Sequence, residues 1–359
     1  MKDAIASRGS THQRSDQTME AALKPKQTVA RSRSQVGAVA GPVAAALVAL
    51  FAFSAIFVEA FNAPHPHRLG IGVVGSAGTA NRLQRGLDAQ ARGAFHVRGY
   101  ADEAAGRHAV AHADVRAVFI PGSSGDRLLV ATASSVPSAQ LVTESFRSLA
   151  AQTNTPLAVR DVVPLPAHDR FGLSSVFAVV GTLIPSLAFG ALLAFLARDV
   201  SPRLRWSAVV SYAVLAGLVV GLNVDLLIGA LTGAFAGVAL VAGLLALAVA
   251  STVHGLTRVA GPAGLVTAVA LLLLLGFPSS GGAVTPQLQP SFYGAIAAWL
   301  PPGAALTAFR NVVYFDWAHT ARPLLVLAAW AAGGLAIGLL PDLRKSGRRR
   351  PLRLASKGA

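Results

Sequence analysis

"SAVVSYAVLAGLVVGLNVDLLIGALTGAFAGVALVAGLLALAVASTV", residues 207–253, is a nearly unbroken block of 47 residues that are mostly apolar. As a helix rising 1.5 Å per residue it would be about 70 Å long, roughly two crossings of a bilayer core about 30 Å thick. Asn223 and Asp225 interrupt the block near its middle. The sequence therefore predicts two membrane-spanning helices, 207–227 and 228–253, joined by a turn.

The depth of Asp225 has two interpretations. An acid at the centre of a membrane would indicate a functional site. About 18 residues of helix precede Asp225, or about 27 Å, which brings it close to the far membrane surface. We predict an interfacial turn here and keep Asp225 as a candidate pathway residue.

Composition extends the membrane interpretation to the whole chain. The 359 residues are 53% hydrophobic and only 13% charged, too few charges to cover the apolar surface of a soluble protein. Apolar runs predict further spans at 36–61, 171–197, 260–277 and 323–340, which makes six, five of them in the block 171–340. The run at 36–58 could also be a cleaved signal peptide, but it is longer than the usual 7–15-residue apolar region, so we predict a retained helix.

The basic residues predict the orientation of these spans. A net charge of +15 would suit a nucleic-acid-binding protein, but here the Lys and Arg residues flank the apolar runs. They lie in the leader 1–35, in the loop at Arg198–Arg205, at Arg258 and in the tail 341–359. Six spans place these four regions on one face, which the positive-inside rule makes cytoplasmic. We expect a multi-pass protein of the cell (inner) membrane, in contact with lipid and not with nucleic acid, with both termini in the cytoplasm.

Glycines at intervals of four residues predict how the spans associate. Small residues let helix backbones approach closely in lipid, where no hydrophobic force drives helices together. We therefore expect a packed bundle, and a homo- or hetero-oligomer. The glycines are Gly217 and Gly221, then Gly229, Gly233 and Gly237, then Gly334 and Gly338.

Residues 62–170, between the first two spans, have the pattern of a small α/β domain. Short β-like runs such as LGIGVVG (69–75) and VRAVFIPG (115–122) alternate with helix-like runs at 79–91 and 137–152. Because the preceding helix would start in the cytoplasm, this domain is predicted to be extracytoplasmic. The fold class is thus an α-helical polytopic membrane protein with an inserted α/β domain.

Two motifs in this domain resemble ligand sites. Gly70, Gly72 and Gly75 fit G-x-G-x-x-G, but they fall inside a strand-like run instead of following it, which argues against dinucleotide binding. His108 and His112 are one helical turn apart, but Ala109 replaces the glutamate of H-E-x-x-H, so surface histidines are the better interpretation. Cysteine is absent, which excludes thiolate ligands and cysteine nucleophiles. We predict no catalytic residue, cofactor or metal, and no enzyme activity.

The segment 279–322 is predicted to cap the bundle from outside with a broken helix. Ser291–Leu300 is only about 15 Å long as a helix, the pair Pro301–Pro302 must end it, and a second helix can follow from about Ala304 to Tyr314. Arg310 would reach the surface or hold a carbonyl or an acid. A plain amphipathic loop is the alternative. Candidate cap or pathway residues are Trp299, Pro301, Pro302 and Arg310.

Three stretches carry a resemblance to a known family: "GGAVTPQLQPSFYGAIAAWLPPGAALTAFRNVVYF" (281–315), "HPHRLGIGVVG" (65–75) and "VRDVVPLP" (159–166). With one span, a large insertion and a five-span block, the chain resembles the ABC-2-type permease superfamily, in its phage-infection-protein-like branch. The resemblance implies transport driven by a separate ATPase. The sequence has no G-x-x-x-x-G-K-[ST] motif, so another polypeptide must bind the nucleotide.

Two functions follow as expectations. The first is a permease-like component of an exporter of hydrophobic or amphipathic compounds. The alternative is a non-transporting envelope protein whose outer domain binds a cell-wall, secreted or phage partner.

Overall fold

The computed structural model describes residues 40–41, 43–61, 65–231, 233–282 and 284–348. The leader 1–35, the first residues of the predicted helix 36–61 and the end of the tail 341–359 lie outside the described residues. Within the described part, six helices are long and apolar enough to cross a membrane, and a small α/β sheet accompanies them. This confirms a mostly helical chain with the composition of a multi-pass membrane protein.

The α/β part, here called the lobe (residues 65–170), has five strands and three helices. They are β1 (Leu69–Val74), α2 (Ala77–Gln90), β2 (Phe95–Tyr100), α3 (Glu103–Ala111), β3 (Ala117–Ile120), β4 (Asp126–Val130), α4 (Val136–Gln152) and β5 (Leu157–Asp161), following α1 (Val43–Phe61). The strand order is β2-β1-β3-β4-β5. Only the β3–β4 pair is antiparallel.

Local sequence explains where the lobe helices begin. Ser76, Asp102 and Ser135 precede α2, α3 and α4, and each side chain accepts a hydrogen bond from a backbone N–H of the first turn. The apolar faces of α2 and α4 then pack on the sheet, where Leu87 and Phe146 are fully buried.

The two motifs of the lobe have structural roles. Gly70 and Gly72 lie inside strand β1, and a side chain at Gly72 would collide with Tyr100 and Val118. The rings of His108 and His112 stack with their centroids 3.8 Å apart. Among the described residues, no group of three His, Cys, Asp or Glu side chains is placed to hold a metal ion.

The helical bundle follows the lobe. Its helices are α5 (Ser174–Leu196), α6 (Pro202–Gly221, continued by a π-helical turn Leu222–Leu227), α7 (Phe235–Ala260), α8 (Pro262–Val269, continued by a π-helical turn Ala270–Leu275), α9 (Gly276–Ser279), α10 (Ser291–Ala297), α11 (Pro301–Tyr314) and α12 (Ala321–Arg348). Helix α7 is central and packs against α5, α6 and α12.

Glycine positions the helices against α7, although not at every predicted glycine. Gly217 faces the backbone of Ala239 and Gly243, and Gly334 faces the backbone of Ser251 and Thr252. Gly229 and Gly233 instead have φ of 69° and 81°, a conformation that ends a helix. The α7 helix therefore begins at Phe235 and not at residue 228, and these two glycines form a turn where the spacing predicted a helix contact.

The predicted broken helix exists, and most of its second half is buried in the bundle. Helices α10 and α11 meet at an angle of 71°, and together they are apolar enough to form a seventh, broken span. Pro301 and Pro302 start α11 at its first turn, where proline is favoured, three residues before the predicted start near Ala304. Ala305 and Phe309 of α11 are fully buried in the bundle core. Helix α11 is thus part of the bundle core, because most of its faces carry small apolar side chains. That the hairpin caps the bundle from outside stays a prediction.

Candidate functional site

A cavity of about 320 Å³ lies where the lobe meets the α10–α11 hairpin. The two parts are joined around it by hydrogen bonds to the segment 285–288. His65 N–H donates to the Leu288 carbonyl (3.0 Å), and His67 N–H donates to the Gln287 carbonyl (2.7 Å). The hydroxyls of Ser138 and Thr285 are 2.8 Å apart. The polar residues that line the cavity are Arg116, Ser134, Ser280, Thr285, Gln287, Thr307, Arg310, Asn311 and His319.

One face of α11 forms a wall of this cavity. Gly303, Thr307, Arg310 and Asn311 recur at the spacing of a helical face. The remaining faces of α11 are apolar and pack in the core. A single helix therefore carries both core contacts and the polar wall.

Arg310 is fixed by carbonyl groups, one of the two predicted roles. Its guanidinium donates to the carbonyl of Gly281 and to the carbonyl of Gly282, each at 3.2 Å. Gly281 has φ of 83°, so glycine is required in the loop that presents these carbonyls. Arg310 also borders a second cavity of about 320 Å³ on the side of Phe171 and Gln140. Two of the Arg310 donors are thus engaged with backbone carbonyls, and the side chain is half-buried.

Arg116 is the second cation of the cavity, and it comes from the lobe. It immediately precedes the apolar strand β3, is half-buried, and its burial lowers the pKa of the guanidinium. Within the described part of the chain its side chain has neither an ion pair nor a hydrogen bond. Arg310 is close enough for Arg116 to act on it as a like charge.

The carboxylates nearest the cavity are already engaged. Asp169 is buried and accepts hydrogen bonds from the Tyr314 hydroxyl (2.9 Å) and from the N–H groups of Leu173 (3.0 Å) and Ser174 (3.1 Å). Asp114 lies 2.7 Å from His319 Nε2. Among the described residues that line the cavity there is no Asp or Glu. Asp169, outside the lining, acts on Arg310 as an opposite charge, and no such charge from the described part of the chain acts on Arg116.

The other predicted site residues lie away from this cavity. The Asp225 carboxylate accepts a hydrogen bond from Gly233 N–H at 3.0 Å and closes the turn before α7. The exposed Trp299 carries the Arg322 guanidinium 5.1 Å from its ring centroid, and its carbonyl accepts from Trp330 Nε1 at 2.8 Å. Pro301 and Pro302 are buried in the first turn of α11. Only Arg310 of the predicted set lines the cavity.

Sequence analysis did not identify Arg116, Gln287 or Asn311. The signals were weak: an arginine at the entrance of an apolar strand, and single amides inside apolar stretches. What brings them together is the packing of the lobe on the hairpin.

A buried ionic cluster lies at the opposite end of the bundle from the lobe. The Asp342 carboxylate accepts from Arg205 Nη2 (3.0 and 3.2 Å) and from Arg258 (2.7 and 3.0 Å). The Arg205 side chain is 2% exposed and the Arg258 side chain 10%. This cluster joins α6, α7 and α12 and is best described as a structural clamp.

No family model, curated protein or solved structure matches this chain. The cavity between the lobe and the hairpin is therefore the candidate site on geometric and electrostatic grounds alone.

Proposed function

We propose that this chain is the membrane component of an exporter of hydrophobic or amphipathic compounds and that a separate ATPase drives it. The observation that carries the proposal is the broken α10–α11 hairpin, which is packed into the bundle and lines a polar cavity beside the lobe. Broken helices at membrane depth are tolerated where protein or a cavity covers their free backbone groups, and they form binding sites in transporters.

The mixed lining of the cavity suits an amphipathic compound. The lining includes the small residues Gly294, Ala297 and Ala298 as well as the two arginines. The resemblance to ABC-2-type permeases agrees with this assignment. The five-stranded lobe with its own apolar core favours the second candidate, an envelope protein that binds a partner outside the membrane.

Export predicts different effects for two matched variants, one within α10 and one at the residue that follows it. Ala298 lines the cavity, whereas the equally exposed Ala295 does not. We expect Ala298→Trp to fill the cavity and abolish efflux of an amphipathic dye from cells that lack the native protein, and Ala295→Trp to retain efflux. A polypeptide with a nucleotide-binding motif should co-purify with the wild-type protein.

Two sets of results would contradict the exporter assignment or support the envelope-protein alternative. If deletion of the gene leaves dye efflux unchanged and no ATPase co-purifies, the exporter assignment is lost. If removal of residues 62–170 abolishes the cellular phenotype while the bundle still assembles and efflux is normal, the envelope-protein alternative is correct.

The orientation is a second prediction, and the absence of cysteine makes it simple to measure. Ser123 is exposed in the lobe, and Asp199 is exposed in the α5–α6 loop beside Arg198 and Arg203. With the lobe outside the cell, a membrane-impermeant maleimide should label Ser123→Cys in intact cells and Asp199→Cys only after lysis. The reverse pattern would place the lobe in the cytoplasm.

A further inference from the structure

We propose that the cavity between the lobe and the α10–α11 hairpin binds the oxyanion head group of an amphiphile, a phosphate or carboxylate, between Arg116 and Arg310. This inference rests on the proposed function, for which it names a class of cargo, but it concerns binding and can be tested without transport.

The unpaired charge of Arg116 is the first argument. A guanidinium that is half-buried without a partner loses part of its hydration and gains no ion pair in return. A second arginine on the same cavity adds repulsion. An anion bound between the two would remove both costs, and the planar guanidinium group favours oxyanions with two or more oxygen atoms.

The neighbouring acids do not supply that anion. Asp169 already accepts three hydrogen bonds, from Tyr314, Leu173 and Ser174, and Asp114 is paired with His319. Arg310 uses two of its donors on the carbonyls of Gly281 and Gly282. A guanidinium has five N–H groups, so Arg310 retains donors for a ligand.

An unsatisfied side-chain amide near the two arginines is the second observation that points to a ligand. Gln287 lines it, and its Oε1 atom is buried without a hydrogen-bond partner in the described part of the chain. A buried acceptor of this kind is normally satisfied. A phosphate monoester offers acceptor oxygens to both arginines, and a small movement of the Gln287 side chain would be needed for its Oε1 atom to accept a hydrogen bond from the ligand.

The apolar groups of the cavity lining favour an amphiphile over a free anion. They come from Gly294, Ala297, Ala298 and Phe315. Small residues leave space for an alkyl segment next to the head group. With a volume of about 320 Å³, the cavity is at the lower end of the range for small-molecule sites.

The test is equilibrium binding to the purified full-length protein in detergent. The probes are dihexanoyl phosphatidic acid, dihexanoyl phosphatidylcholine and inorganic phosphate. We expect the phosphatidic acid to bind at least about tenfold more tightly than either of the others, because charge-assisted hydrogen bonds and the alkyl contacts are both needed.

The variants assign this binding to the two arginines. Arg116→Gln and Arg310→Gln should each weaken phosphatidic acid binding by about tenfold or more, and Arg116→Lys should weaken it less. Arg98→Gln removes the same charge from an exposed position of the lobe and should bind as the wild type does. Since the Arg116 side chain has no partner among the described residues, Arg116→Gln should not lower the melting temperature of the ligand-free protein. Replacement of an arginine with a purely structural role would lower it.

Three results would overturn the proposal. They are equal affinity for phosphatidic acid and phosphatidylcholine, wild-type binding by Arg116→Gln, and inorganic phosphate binding as tightly as the amphiphile, which would make the site one for free anions. Failure of export with arginine-dependent binding intact would remove the transport function and leave the site, so the two failures can be told apart.

Discussion

Asp342→Asn is expected to destabilise the protein by about 3–5 kcal/mol, among the largest effects of any single substitution in this chain. The Asp342 carboxylate is the shared acceptor of Arg205 and Arg258, at 2.7–3.2 Å. Replacing it with a neutral amide leaves two buried guanidinium groups facing each other without a counter-charge. The cost is the penalty of the unpaired charges, which is larger than the net contribution of the intact cluster.

The measurement is thermal or denaturant unfolding of purified variants in one detergent. Asp199→Asn is the matched control, because Asp199 is exposed at the same end of the bundle and the chemical change is identical. Asp199→Asn should unfold as the wild type does. Replacing all three residues, Arg205→Met, Arg258→Met and Asp342→Leu, should recover most of the stability, since no buried charge then remains. An Asp342→Asn protein as stable as the wild type would show that water reaches the cluster and screens it.

Neighbouring glycines of α12 are expected to respond with opposite signs to the same substitution. A Cβ atom at Gly334 would lie closer to the backbone of Ser251 and Thr252 than real Cβ atoms come, so α7 and α12 must separate. We expect Gly334→Ala to cost about 1–3 kcal/mol or more. At Gly333 a Cβ atom would meet no atom within 4 Å, and alanine should stabilise the helix by up to about 1 kcal/mol.

The measurement is the unfolding stability of the two variants relative to the wild type in the same detergent. Equal effects of Gly333→Ala and Gly334→Ala would mean that α12 does not pack on α7 at Gly334. A loss of stability confined to Gly334→Ala would support the close α7–α12 contact, because the two variants differ only in which face of one helix carries the methyl group.

The sequence pattern predicts that the 47-residue block contains two helices, but it does not predict where the second one begins. The 47-residue block predicts two spans because it is long enough for two crossings and the chain has too few charged residues to cover its apolar surface in water. It does not predict that Gly229 and Gly233 form a turn, since a glycine spaced at four residues fits both a helix contact and a break. The structure has a turn there: both glycines have positive φ angles, and Gly233 N–H donates a hydrogen bond to the Asp225 carboxylate.

In the α10–α11 hairpin, the sequence predicts the break between the helices but not the burial of α11. Pro301 and Pro302 mark the break between its helices in the sequence, and the structure has the break there. The burial of α11 was not predicted, because short apolar helices with one arginine are also typical of membrane surfaces. Arg310 can lie inside because Gly281 and Gly282 bring two carbonyls to its guanidinium.

The sequence by itself determined six helices apolar enough to cross a membrane, an α/β lobe after the first of them and a broken helix before the last, because length, hydrophobicity and proline act within one segment of chain. Only the tertiary structure placed Arg116 beside Arg310 and gathered Arg205, Arg258 and Asp342 into one cluster. These partners are far apart in the chain, and their contacts depend on how separate elements pack. No local pattern encodes that packing.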